Sequence, residues 1–161
     1  MTETNFGALC RAACKTLGIG GEVSLMEKGY LAIDGIPVGL FLEPGSAPHR
    51  MFCYADLGPV DPQLQASAYE TLLMQNQLNM SKAAGSYGIE PLTGHAVFTL
   101  ALGHLEQISA GRVADAMRNC ASEAKRLRKE WNAASLQRGN RGHDARAGKA
   151  DWTESAEEAF S

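Results

Sequence analysis

The sequence predicts an α+β fold of about five strands and three helices, in the order α-β-β-β-α-β-β-α. Three observations carry that expectation. An Asp34-Gly35 dipeptide separates two apolar runs, a strong β-hairpin signal. Residues 50–57 and 95–105 alternate side-chain character with a period of two, as half-buried strands do. Three further stretches repeat apolar residues at helical spacing.

The first helix is expected from about Asn5 to Leu17, with Thr4 as its N-cap and Phe6, Leu9, Cys10, Ala13, Cys14 and Leu17 on its apolar side. Gly18 ends it, because glycine takes the left-handed conformation without steric cost. Cys10 and Cys14 lie one turn apart and read as buried thiols, since no further metal ligands stand at workable spacing.

Residues 22–26 read as a short extended segment leading into YLAIDGIPVGLFLE, residues 30–43. If Asp34 and Gly35 are the central pair of a type I′ turn, Ile33 faces Ile36 and Leu31 faces Val38. Leu31, Ile33, Ile36, Val38, Leu40 and Leu42 then share a core face. Tyr30, Ala32, Gly39 and Phe41 share the other, which suits either a shallow docking surface or a side covered by a helix. Pro37 has no amide proton to give a ladder, so an edge or a bulge is expected there. After a turn-rich loop, the strand at 50–57 sets Met51, Cys53, Ala55 and Leu57 against Phe52, Tyr54 and Asp56.

Residues 61–80, DPQLQASAYETLLMQNQLNM, form the unusual helix. Asp61 suits the N-cap and Pro62 the first helical position. Between Gln63 and Met80 its only charged side chain is Glu70. Leu64, Ala68, Leu72 and Leu78 share one side of the wheel, and Tyr69, Leu73, Met80 and Ala66 form a second arc. A surface helix normally has one apolar stripe and a charged back. This one needs two partners: its own sheet, and the same helix of a second subunit.

A weak strand follows at 86–92, then a Thr93-Gly94 turn and a convincing strand at 95–105. In that strand Ala96, Phe98, Leu100 and Leu102 oppose Val97, Thr99 and Ala101. Ser109 caps a last helix running to about Ala134, with Val113, Met117, Cys120, Ala124, Leu127 and Trp131 as its apolar stripe. Lys125, Arg126, Arg128 and Lys129 read as a solvated face near its C-terminal end. The chain thus divides into a domain at 1–134 and a flexible polar tail at 135–161, with a short helical turn expected near residues 152–160.

Composition narrows the function. At 161 residues, 45% hydrophobic and 20% charged, the chain suits one soluble domain. A net charge of −3 argues against nucleic acid as a partner. No apolar run approaches the roughly 18 residues of a membrane span, and the N-terminus shows no secretory signal. The four cysteines lack disulfide-scaffold or zinc spacing, which fits free thiols in a reducing compartment. No nucleophile elbow, phosphate-binding loop or HExxH pattern is present. His49, His95, His104 and His143 fall at strand ends, in a turn and in the tail, and the spacing does not call for a His95/His104/Cys53 cluster. No catalytic residue, metal ligand or cofactor site is expected.

The element order, the hairpin YLAIDGIPVGLFLE, the strand FCYADLGPV, the helix LQASAYETLLMQNQL and the strand pair GIEPLTGHAVFTLAL resemble the class I type III secretion chaperones, the Tir-chaperone-like family. The resemblance covers about Phe6 to Trp131. It implies a twisted antiparallel sheet packed with helices, in a bacterial cytoplasmic virulence factor without enzymatic activity, cofactor or ATP requirement. It implies a homodimer through the second helix, placing Leu64, Ala68, Tyr69, Leu72 and Leu73 at the seam. It also implies binding of the N-terminal segment of a secreted effector, partly by strand addition at a sheet edge, with Tyr30, Phe41, Phe52 and Tyr54 as contact residues. Two other readings stand beside it: a small ligand-binding or enzymatic domain using the sheet face as a pocket, and an adaptor for another folded protein.

Overall fold

The computed structural model describes residues 2–20, 22–79 and 85–147. Helix α1 spans Thr2–Leu17, so Thr4 lies inside its first turn and is not the cap. It closes in a Schellman motif: the Gly18 amide donates to the Lys15 carbonyl (3.1 Å) and the Ile19 amide to the Cys14 carbonyl (3.3 Å). Gly18 takes the required positive φ of 70°.

The expected extended segment is instead a seven-residue helix, α2, Glu22–Lys28. Two local features at its C-terminal end favour it. Gly29 supplies a left-handed stop at φ 77°, and the Ser24 hydroxyl donates to the Tyr30 carbonyl at 3.1 Å. Among the described side chains of this helix only Leu25 reaches the core, so its apolar pattern is too sparse to betray the period.

Strands β1 (Tyr30–Ile33) and β2 (Ile36–Leu42) form the predicted hairpin, with Ile33 opposite Ile36 and Leu31 opposite Val38. Asp34 and Gly35 hold φ of 51° and 79°, as a type I′ turn demands. Next to the hydrogen-bonded turn pair, Pro37 turns its nitrogen away from β1. The pairing of β2 with β3 (Arg50–Gly58) starts only at Val38, so the missing amide proton leaves no ladder bond unmade.

After a turn at Asp61, helix α3 covers Gln65–Asn79. Asp61 accepts a bond from the Gln63 amide (2.9 Å), so it caps the turn that precedes α3 and not the helix itself. Met80 lies outside the described residues. Strands β4 (Ser86–Ile89) and β5 (Ala96–His104) complete an antiparallel five-stranded sheet of order β1-β2-β3-β5-β4. Register shifts between β3 and β5 leave Leu57 and Leu102 as extra residues, and both point into the core.

A 3-10 turn at Leu105–Gln107 leads to helix α4, Ala110–Ala147. Ser109 caps it as expected, its hydroxyl accepting from the Arg112 amide. Val113, Met117, Cys120, Ala124 and Leu127 are buried against the sheet, and Trp131 packs at the margin. The helix does not stop at Ala134. Propagating an existing helix needs no new nucleus, and Leu136, Gln137, Arg138 and Ala145 are good helix formers. The turn expected near residues 152–160 lies outside the described residues. The expected order of elements is therefore present, with α2 added to it.

Because α4 runs on, its basic residues are interior to the helix rather than at its end. Arg128 is no part of a solvated face: its guanidinium donates to the carbonyls of Leu57 (2.8 Å) and Asp56 (2.7 Å), pinning the end of β3. Arg126 bridges Glu123 and Glu130, and Lys125 reaches Asp34.

Candidate functional site

Helix α4 packs on one face of the sheet, against the core residues Met51, Cys53, Ala55, Val38 and Leu40, and α1 packs against α4. On this side the thiols are inert. Burial, then the neighbouring Cys14, pushes the Cys10 thiol up to about 11. The hydrogen bond with Cys120, then burial, pushes Cys53 up further. Cys53 therefore faces Cys120 inside the core, while His95 and His104 stand nine residues apart at opposite ends of β5, about 30 Å at strand rise. The imagined His95/His104/Cys53 cluster does not form.

The opposite face is where the predicted contact residues meet. Register places Phe41 opposite Phe52, and Tyr54 opposite Gly39, itself opposite Tyr30. The Phe41 and Phe52 rings stack at 5.2 Å with planes 12° apart, and Tyr54 tilts against Phe41 at 6.0 Å. A Cβ on Gly39 would collide with the Tyr54 ring, so glycine lets that ring lie down on the strand. Tyr30 and Phe41 remain 41% and 40% exposed, while Phe52 and Tyr54 are half-buried. Burial, reinforced by the charge of Asp56, raises the Tyr54 pKa, so its phenol stays neutral. The four residues form one continuous aromatic strip that α1 and α4 do not cover.

Asp56 ends this strip. His95 Nδ1 lies 3.0 Å and 3.1 Å from the two Asp56 carboxylate oxygens, to which it donates, and the Gly58 amide donates to Oδ1 at 2.7 Å. In the sequence, alternation places Asp56 on this face and gives it no partner. The pair spans 39 positions, and only the β3–β5 register brings it together.

Helix α3 is the second candidate surface. It sits at the outer edge of β4, where Asn76 stands in for a neighbouring strand. The Asn76 side chain donates to the Tyr87 carbonyl (3.0 Å) and accepts from the Tyr87 amide (2.7 Å). Tyr87 in turn donates to Glu123 of α4; burial, then this bond, pushes its phenol up to about 12. Hydrogen bonding by Arg126, with a smaller contribution from Tyr87, lowers the Glu123 pKa.

Of the five residues expected at a dimer seam, Leu64, Ala68 and Leu72 are turned into the chain's own fold, each only 4% exposed. Their arc faces the sheet edge and cannot also face a partner. Tyr69 is half-buried against the core. Leu73 alone is open, at 69%. Beside it stand Met74 at 61% and Leu78 at 60%, the latter displaced from the buried arc where the wheel had put it. Met74 was missed. Met74 lies four residues, about one helical turn, before Leu78 and so on its side of the helix, a relation that the two-arc reading passed over.

Of the clefts among the described residues, two border the sheet on its helical side. One of about 510 Å³ runs between Val60, Leu64, Arg128 and Trp131, and one of about 420 Å³ between Gln75, Tyr87, Leu100 and Glu123. Neither is lined by the four aromatic residues of the open face. No group of His, Cys, Asp and Glu among the described residues is arranged to hold a metal ion, and none of the described helices is long and apolar enough to cross a membrane.

No protein-family model matches this sequence, and no curated protein does. Solved structures do. The ExsC-ExsE complex contains a chain matching 80% of this one and 94% of its own length, at 16% identity and a TM-score of 0.61. The HopA1-SchA chaperone-effector complex contains one matching 80% of this chain and 97% of its own, again at 16% identity and 0.61. This chain shares the fold of these two chains, one of which belongs to a chaperone-effector complex. At this identity the likeness resides in the order and pairing of elements, and the side chains of the two surfaces above are this chain's own.

Proposed function

We infer that this protein is a type III secretion chaperone. It binds the N-terminal segment of a secreted effector in extended form and keeps it competent for export, in the bacterial cytoplasm and without ATP or chemistry of its own. One observation carries the reading: in a chaperone-like fold, Tyr30, Phe41, Phe52 and Tyr54 gather on a sheet face left open by the helices that cover the other. An exposed aromatic strip is costly in water unless a partner covers it. The edge of β1 offers a second mode of contact. By hairpin alternation the Ala32 amide and carbonyl point away from β2, and an added strand would meet them there. The active unit is a homodimer joined across the Leu73, Met74 and Leu78 side of α3, with Tyr69 at its margin.

The test is capture from a secreting cell with the tagged chain, followed by truncation of whatever secreted protein is identified. The N-terminal region of that protein should suffice for binding, and changing Phe41 and Phe52 together to Asp should abolish it. A partner that binds equally well without its N-terminal region, or binds the double variant unchanged, contradicts the reading.

A further inference from the structure

The two edges of the sheet are guarded unequally. At β4 the Asn76 carboxamide both donates to and accepts from Tyr87, and the helix that carries it is anchored by the buried Ala68 and Leu72. At β1 the hairpin turn makes Ile33 and Leu31 the residues bonded to β2, so the outward row consists of Ala32 and Tyr30. The Ser24 hydroxyl of α2 donates to the outward Tyr30 carbonyl at 3.1 Å, while Ala32 is exposed. A strand adding along β1 needs both residues of this row, and α2 already holds one of them.

Helix α2 holds that place weakly. Seven residues are too few for a helix that is stable by itself. Of its described side chains only Leu25 is buried, while Val23 and Met26 stay 67% and 45% exposed. Gly29 joins it to β1, and glycine accepts a change of backbone angles at little steric cost. Natural sheets shield their edges against pairing, and a shield held by one hydroxyl and one leucine is one that a strand can replace. We propose that α2 is a displaceable guard of the β1 edge. A client segment adding to β1 takes the Tyr30 carbonyl from Ser24, and α2 gives way at Gly29. The proposal rests on the strand-addition mode of the reading above and adds its regulation: affinity for an extended segment is lowered by the share of molecules in which α2 is closed.

The probe is the peptide Lys-Thr-Val-Thr-Val-Thr-Lys, which alternates as a strand does and reads the same in both directions, so that its polarity on β1 does not matter. It is titrated into the full chain, with backbone amide NMR shifts and hydrogen exchange as readouts. Shifts should centre on Tyr30 and Ala32, and at saturation the amides of α2 should lose protection while those of α1 keep theirs. Ser24→Ala removes the competing donor and should tighten binding about two- to tenfold, the range of one net hydrogen bond. Ser24→Thr keeps the hydroxyl and should bind as the unmodified chain does. Unchanged protection of α2 at saturation overturns the proposal, as do equal affinities of the unmodified chain and Ser24→Ala, shifts centred away from β1, or no binding at millimolar peptide. None of these results touches capture of a secreted partner through Phe41 and Phe52, which reports on the chaperone reading separately.

Discussion

Helices α3 and α4 solve the same problem in different ways. Helix α4 has one apolar stripe, and Val113, Met117, Cys120, Ala124 and Leu127 vanish completely into the chain's own core. Its back is charged and laced by Arg126 to Glu123 and Glu130. Helix α3 buries only Ala68 and Leu72, carries no ion pair among the described contacts, and leaves Leu73, Met74 and Leu78 in water. Its Asn76 side chain bonds the edge of β4. The contrast teaches where fold ends and assembly begins. A helix whose pattern is exhausted by its own core has structure as its purpose, whereas α3 leaves Leu73 and Met74 exposed among the described residues.

The largest break in this comparison should come from α4. Met117 is fully buried, and Met117→Ala should cost about 2–5 kcal/mol of stability in denaturant unfolding. A smaller effect is expected where the two helices communicate, through Tyr87 and Glu123. Glu123→Gln should cost about 1 kcal/mol at neutral pH, since it weakens charge-assisted bonds at a half-buried site. The folded-state pKa of Glu123 is depressed, so its contribution is full above the unfolded value of about 4.3 and is lost as pH falls through the lower folded value. The stability gap between wild type and variant should therefore close below about pH 4. Smallest of all, Leu73→Glu combined with Met74→Glu should leave the stability of the isolated subunit within about 0.5 kcal/mol, because both side chains are already exposed there.

How far the sequence foretold this depends on the range of each interaction. The hairpin was legible because Asp34-Gly35 and the alternation of residues 30–42 are local signals. The aromatic strip was legible for the same reason: period two sorts Phe41, Phe52 and Tyr54 to one face without knowledge of the helices. What it left open was which face is wet, and that follows from α4 packing on the other side. The Asn76–Tyr87 and Asp56–His95 contacts were illegible, since each depends on pairing of distant segments. Helix α2 escaped because only Leu25 in it is buried, and the far half of α4 escaped because its apolar stripe ends at Trp131 while its backbone does not. In α3 the wheel showed two apolar arcs without saying which meets the sheet, and the structure turns the arc of Leu64, Ala68 and Leu72 inward, residues that the family resemblance had placed at a seam.

The central claim is that the exposed side of α3 is a seam between two copies, and its most direct test is the mass in solution. The chain weighs 17.2 kDa. Light scattering at tens of micromolar should give twice that mass for the wild type and a single-chain mass for the Leu73→Glu, Met74→Glu double variant. A wild-type mass of 17.2 kDa, or a variant that still pairs, would contradict the account.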